Sequence, residues 1–286
     1  MRGTNLARIH APHMTSQIRA GDAALHISEP ASPSGRPPVL LLHGIFAAAW
    51  VFAHAQAWFA ARGYWSYAAD LRGHGQGSPV PRIGAVPARA YVDDALAAAR
   101  TIGERHDMAP VVIGHSMGGL LAQKIGEAGM AAALVLLCSA APRGIVVVGR
   151  TLLSRMLMPR YLLPLVFSRP LMPTRGDADA MILNGVEPGA RAAIFARLAP
   201  DSGRAGRELA LGAVRVDATR VRCPVLSVVA LEDRFVPPSA GRAIATRYGA
   251  TLVELPGRGH FPLGEPGAEA LLETIERWTT TALAPR

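Results

Sequence analysis

The sequence predicts an α/β fold: a mostly parallel central sheet flanked by helices, with an inserted helical cap. Three observations carry this. Short apolar runs recur and end in Gly, His, Ser or Asp, helical segments lie between them, and one long segment breaks the alternation. Runs of this kind fit strands buried on both faces, as parallel sheets require. Strands alternating with helices indicate such a sheet.

In chain order, residues 15–19 and 23–27 read as edge strands around Gly21-Asp22. The run 39–42 ends at His43-Gly44, 65–69 at Asp70, 111–113 at Gly114-His115-Ser116 and 133–138 at Ser139. The run 225–230 ends at Leu231-Glu232-Asp233, and 251–255 at Pro256-Gly257. Helices are expected over 48–62, 88–105, 118–129, 239–248 and 268–282. Reactive groups gather at the carboxyl ends of strands in such sheets, and here those ends carry His, Ser and Asp. The segment 143–218 departs from the rhythm, with apolar clusters and five prolines between Pro142 and Pro173. A stretch this long is rarely unstructured. It reads as a helical cap over the sheet's active edge, leaving 1–142 and 219–286 as the core.

The chain has 286 residues, enough for one large core or a core with a small accessory domain. Half the residues are hydrophobic and 18% are charged, which excludes a disordered chain. The net charge is +9, and Lys124 is the only lysine among the basic residues. The arginines are spread without a run, so no nucleic-acid partner is expected. The charge reads as a generally basic surface of Arg-biased composition; attraction to anionic substrates or to an anionic membrane surface is the other reading. Cys138 and Cys223 sit in apolar stretches and read as free thiols outside any metal pattern. Residues 1–20 lack an apolar signal core, and no apolar stretch of about 18 residues is free of charge. A soluble cytoplasmic protein is the expectation, and nothing specifies an oligomeric state.

Gly114, Ser116 and Gly118 form a G-x-S-x-G pattern between an apolar strand and a helix. The chemistry needs the serine on a tight turn that lifts its hydroxyl clear of the sheet, with glycines where backbone comes close. The following helix points its N-terminus at the site and favours developing negative charge there. A serine hydroxyl is a weak nucleophile until a base takes its proton. Among nine histidines, His260 follows the last strand on a glycine-rich loop, Gly257-Arg258-Gly259-His260-Phe261.

Gly114-His115-Ser116-Met117-Gly118-Gly119, His43-Gly44 and the loop 70–78 together resemble the α/β-hydrolase superfamily over about residues 38–142 and 219–280. The resemblance implies Ser116 as nucleophile, His260 as base and Asp233 as the acid, with Glu232 as the fallback. Ala230 stands where the family usually has glycine, and the alternative acid position, Ser139 to Pro142, holds no carboxylate. The backbone amides of Ile45 and Met117 are the implied oxyanion donors. No glycine triplet follows His43, which disfavours the family's tertiary-alcohol esterases. Serine at the elbow also excludes the alkyl-ester chemistry of dehalogenases and epoxide hydrolases, which use aspartate there. Phe46, His115 and Phe261 flank these residues as expected substrate contacts, although the His115 side chain should point away from the pocket. His43 and His74 should line or brace the site.

No cofactor, metal site or phosphate loop is expected. The implied activity is carboxylic-ester hydrolysis through an acyl-enzyme, on a small-molecule acyl ester. A carbon–carbon bond hydrolase, thioesterase, lactonase or cofactor-free haloperoxidase could use the same triad. A non-catalytic ligand-binding protein of the same fold is the reading outside enzymology. The cap's Leu, Met, Ile and Val residues suit an apolar acyl group, and its arginines could simply face water, meet a carboxylate or phosphate headgroup, or rest with the cap on a membrane surface.

Overall fold

A computed structural model of the chain describes residues 16–284. The strands are β1 (Gln17–Ala20), β2 (Ala23–Ser28), β3 (Val39–Leu42), β4 (Ser66–Asp70), β5 (Val111–His115) and β6 (Ala133–Leu137). They continue with β7 (Pro170–Leu171), β8 (Asp201–Ser202), β9 (Val225–Ala230) and β10 (Thr251–Leu255). Eight of them form one sheet in the order β1-β2-β4-β3-β5-β6-β9-β10, and β7 pairs only with β8. Every pairing from β4 to β10 in that order is parallel, while β1 and β2 form an antiparallel edge hairpin. Residue 15, placed in the first strand from sequence, lies outside the described residues.

Strands β3 to β6 and β9 are buried at every position, as runs of Val, Leu, Ile and Ala require when both sheet faces are covered. β10 differs from the expectation. Thr251, Leu252 and Glu254 are exposed because this edge strand pairs with β9 alone.

The helices are α1 (Ala53–Ala60), α2 (Ala88–His106), α3 (Met117–Glu127), α4 (Arg150–Met156), α5 (Pro159–Phe167), α6 (Arg175–Asp177), α7 (Pro188–Phe195), α8 (Gly203–Ala210), α9 (Pro238–Tyr248) and α10 (Ala268–Ala282). The first expected helix is split, because a 3₁₀ turn over Ala49–Phe52 precedes α1. Side chains alternate across the sheet. Leu40 and Leu42 join Tyr91, Ile102, Leu121 and Ile244 of α2, α3 and α9 on one face. Val39 and Leu41 join Trp58, Phe59, Leu272 and Ile275 of α1 and α10 on the other. Between β6 and β9 the chain leaves the sheet and builds α4 to α8 with the β7–β8 ribbon. Among the described residues, no helix is long and apolar enough to cross a membrane.

Helix α3 crosses the sheet at close range. A Cβ on Gly118 would run into the Leu42 carbonyl, and one on Gly114 into the Gly118 carbonyl. Gly103, inside α2, has open space around the same position. Gly118→Ala should therefore destabilise the protein by about 1–3 kcal/mol through overpacking. Gly103→Ala should stabilise it by about 0.5–1 kcal/mol through helix propensity. Urea unfolding midpoints of the two variants check both signs.

Candidate active site

Ser116 occupies the turn between β5 and α3 with φ 55° and ψ −120°. A non-glycine residue held there stores strain on the order of 1–3 kcal/mol. Its surroundings hold it in place. The Ser116 amide donates to the Leu137 carbonyl at 3.0 Å, and its own carbonyl accepts from Gly119 and Ala140, each at 2.9 Å. Met117 is the first residue of α3, so its amide has no helical carbonyl to meet. The loop after β3 comes against the serine: a Cβ on Gly44 would lie 2.8 Å from that of Ser116. The structure thus brings Gly44, Ile45, Ser116 and Met117 to one place.

His260 follows β10, and its Nδ1 lies 2.8 Å from Asp233 Oδ2. The other carboxylate oxygen of Asp233 accepts from the amides of Phe235 and Val236 at 2.8 and 2.9 Å. These bonds aim the carboxylate at the imidazole. Asp233 and His260 are both buried, whereas Glu232, the fallback acid, is exposed. The loop carrying His260 is tied down by Glu265, which accepts from the amides of Gly259 and Phe261 at 2.9 and 3.3 Å. Burial pushes the Glu265 carboxyl above its usual range.

His115 is a second tie. Its Nε2 lies 2.7 Å from the His260 carbonyl oxygen, so that nitrogen carries the proton and donates. Burial, then the neighbouring His260, lowers His115 to about 3, so the ring is neutral. His43 is neutral for the same reason, lowered to about 4 by burial and by His74. It bridges two loops, with Nδ1 2.8 Å from the Gly44 carbonyl and Nε2 accepting from the Leu71 amide at 3.3 Å.

The thiol of Cys138, an oxygen of Asp233 and a ring nitrogen of His260 lie within 4.8 Å of one another. A metal would need the thiolate. Burial and the adjacent Asp233 carboxylate push the Cys138 thiol well above its ordinary value, so it stays protonated. Asp233 is already engaged with His260. This donor set fits a hydrogen-bonded acid–histidine pair with a thiol beside it better than a metal centre. Cys138 and Cys223 are both free, Cys138 buried and Cys223 half-buried.

Two cavities meet at Ser116. The larger, about 120 Å³, is lined by Ile45, Phe46, Ser116 and Met117 from the core and by Leu152, Met156, Tyr161 and Leu165 from α4 and α5. The smaller, about 30 Å³, is lined by Gly44, Trp50, His115, Ser116, His260 and Phe261. Of the three expected substrate contacts, Phe46 faces the larger cavity. His115 and Phe261 line only the smaller, alongside Ser116 and His260.

The sequence reading missed Asp201. This carboxylate belongs to the insertion but lies at the centre of a buried cluster. Its Oδ2 accepts from the Phe46 amide at 3.0 Å, and its Oδ1 accepts from the Tyr91 hydroxyl at 2.7 Å and the Ser202 amide at 2.6 Å. His74 Nε2 lies 3.2 Å from Oδ2 in an ion contact whose angle is poor for a hydrogen bond. Burial alone would raise the Asp201 carboxyl, but His74 and the hydrogen bonds bring it down to about 2. For His74, burial lowers the value, and Asp201 outweighs it to raise the net value above the usual one. Phe46 itself has φ 67°, so the loop beside Ser116 keeps a left-handed residue under the hold of Asp201. The only local sign in the sequence is Asp201-Ser202 before a helix, which reads as an N-cap; Ser202 does cap α8.

A serine on a left-handed strand-to-helix turn, at the carboxyl edge of a mostly parallel sheet, defines the class of α/β hydrolases. The model of the alpha/beta hydrolase family matches residues 39–271, and the chain belongs to that family. A search of curated protein sequences found no significant match. Among solved structures, the chain is similar to a monoacylglycerol lipase from Paleococcus ferrophilus, with 22% identity, a TM-score of 0.69, and coverage of 90% of this chain and 99% of that one. It is also similar to an esterase from a Rhodococcus species, with 19% identity, a TM-score of 0.68, and coverage of 94% and 99%. A thermophilic esterase from Thermogutta terrifontis shares 21% identity, a TM-score of 0.65, and coverage of 94% and 99%. At these identities the likeness is one of fold.

The Asp201 cluster predicts a stability effect with a defined pH window. Asp201→Asn leaves His74 buried without its counter-charge and weakens the hold on Phe46, at a cost of about 3 kcal/mol. Asp201 is depressed on folding, so its contribution is present above about pH 4 and is lost as pH falls through the folded value. His74 is raised, so its contribution is present below about pH 6.5 and is lost as pH rises through its folded value. The gap in urea midpoint between wild type and Asp201→Asn should be widest between about pH 4 and 6.5 and narrow on either side. A gap independent of pH would show that the ion contact contributes nothing.

Proposed function

We propose that this chain hydrolyses carboxylic esters through an acyl-enzyme on Ser116, with His260 as general base and acid and Asp233 as its orienting carboxylate. The observation that carries the reading is the position of Ser116. Its strained backbone stands where both cavities meet, and His260, paired with Asp233, lines the smaller one. The similar solved structures include esterases and a monoacylglycerol lipase, which supports the reaction class.

His260 Nε2 takes the proton from the Ser116 hydroxyl as Oγ attacks the ester carbonyl. The Nδ1 proton stays on the imidazole and is donated to Asp233, which stabilises the imidazolium. The carbonyl oxygen becomes an oxyanion held by the amides of Met117 and Ile45. The bond from carbon to the alkoxy oxygen then breaks, and His260 gives its proton to the departing alcohol. Water attacks the acyl-enzyme carbonyl as His260 takes its proton; the bond from carbon to Ser116 Oγ then breaks and His260 returns the proton to Oγ, releasing the carboxylic acid and free Ser116.

His260 lines the smaller cavity, so the leaving alcohol belongs on that side and the acyl chain in the larger, apolar one. Residues 143–218 act as a cap, because α4 and α5 supply the wall of the acyl cavity. A medium acyl chain with a small alcohol is the substrate that fits. The hydrogen bond that the Phe46 amide donates to Asp201 then holds the oxyanion loop, making Asp201 a positioning residue.

A fluorophosphonate probe should label the wild type, and Ser116→Ala should abolish labelling and lower kcat on ester substrates by about 10⁴-fold or more. Folded wild-type protein that resists the probe would refute the activated serine. Faster turnover of a thioester, lactone or diketone would transfer the same triad to that substrate. Met156→Trp should fill the acyl cavity and reduce kcat/KM for octanoyl esters at least about tenfold while sparing acetyl esters. An unchanged chain-length profile would place the acyl group elsewhere.

A further inference from the structure

Among the described residues, large exposed hydrophobic side chains concentrate in one place. Seven of the ten lie between residues 146 and 167. Val146, Leu157 and Phe167 are 76%, 61% and 62% exposed. Five of the seven lie on helices α4 and α5, which pack on each other, and Leu157 lies between the two; α5 is apolar on two faces. On α5, Tyr161 and Leu165 point inward to the acyl cavity, while Leu162 with Val166 and Leu163 with Phe167 face outward at i,i+4 spacing. On α4, Leu152 and Met156 line the cavity, and Leu153 is exposed. A helix that is apolar around its circumference needs a second apolar environment.

The charge around this face identifies that environment. No Asp or Glu occurs from Ala128 to Gly176, a stretch that holds six arginines. Arg155 and Arg175 are paired with Asp177 and Asp179. Arg160 and Arg169 are exposed and make no ion pair among the described residues. The Arg169 guanidinium lies 5.7 Å from the centre of the exposed Phe167 ring, so an aromatic anchor and a cation stand side by side. Aliphatic side chains flanked by unpaired arginines match the boundary between acyl chains and anionic headgroups. A second copy of the chain fits worse. Two-fold pairing of this face would bring the same arginines together with no carboxylate to meet them.

We propose that the outer face of α4 and α5 docks on an anionic phospholipid bilayer. The docked helices then separate the bilayer from the cavity beside Ser116 by one helix thickness, so an acyl ester partitioned in the membrane has a short path to the serine. That consequence rests on the hydrolase reading, whereas the docking itself does not.

The test uses full-length protein carrying Ser116→Ala, which cannot degrade the vesicles through Ser116. It is sedimented with vesicles of phosphatidylcholine alone or mixed with phosphatidylglycerol, at low and at physiological salt. Binding should favour the phosphatidylglycerol vesicles and weaken as salt rises. Adding Leu163→Glu and Phe167→Glu should reduce it at least tenfold, and adding Arg160→Gln and Arg169→Gln should reduce it roughly tenfold and flatten the salt dependence. The same substitutions in the Ser116 background, checked by circular dichroism, separate lost docking from lost folding. No binding to phosphatidylglycerol vesicles at low salt overturns the proposal, as does binding that survives the glutamates in folded protein. A vesicle-free dimer abolished by Phe167→Glu would also overturn it, in favour of a second copy. Failure of fluorophosphonate labelling would sink the hydrolase reading and leave these outcomes unaffected.

Discussion

The approach of α3 to the end of β3 sets the geometry on which the site depends. Gly118 rests against the Leu42 carbonyl, Gly114 against the first turn of α3, and Gly44 against Ser116. Side chains at these positions would push the helix off the sheet and the loop off the serine. Contact at backbone distance has two effects. It forces Ser116 into a left-handed conformation, and it directs the N-terminus of α3 at the space beside its hydroxyl. The strain at Ser116 is offset by the buried sheet around it, where the flanking strands have no exposed residue.

The dry surroundings create a second demand, because buried polar groups must find partners. The site meets it by tying loop to loop. His43 joins the loops after β3 and β4, and His115 joins the end of β5 to the loop of His260. Glu265 closes the His260 loop on itself, and Asp201 joins the insertion to the loop after β3. Burial keeps His43 and His115 neutral, so they serve as hydrogen-bonding struts without adding charge beside Asp233. Asp201, by contrast, brings a charge into the interior, and it has His74, Tyr91 and two backbone amides to hold it.

The legible part of this arrangement was the part written in local pattern. Buried parallel strands are continuous apolar runs, so β3 to β6 and β9 could be read directly, and each ended near the residue expected. The G-x-S-x-G turn and the loops of Asp233 and His260 carry short-range signatures for the same reason. β10 reads as one more run of the same kind, although it carries Thr251 and Glu254; its edge position is a property of the sheet order. Asp201 was illegible for a related cause. Its partners Phe46, His74 and Tyr91 are more than a hundred residues away, and nothing next to it in the chain records that they converge. The division of the pocket at Ser116 was likewise invisible, because it depends on where α4 and α5 come to rest.

The roof over the larger cavity shows how one short segment can carry two apolar faces. Helices of this length are marginal by themselves and need tertiary anchors. Tyr161 donates its hydroxyl to Asp177, and Arg155 pairs with the same carboxylate. Arg207 of α8 donates to the carbonyls of Leu165 and Val166, satisfying the last turn of α5. These anchors come from the insertion itself, through the segment that follows α5 and through α8. Polar side chains on the outer face are therefore unnecessary for holding the helices in place. The outer face of α5 is left to Leu162, Leu163, Val166 and Phe167, while its inner residues Tyr161 and Leu165 line the larger cavity.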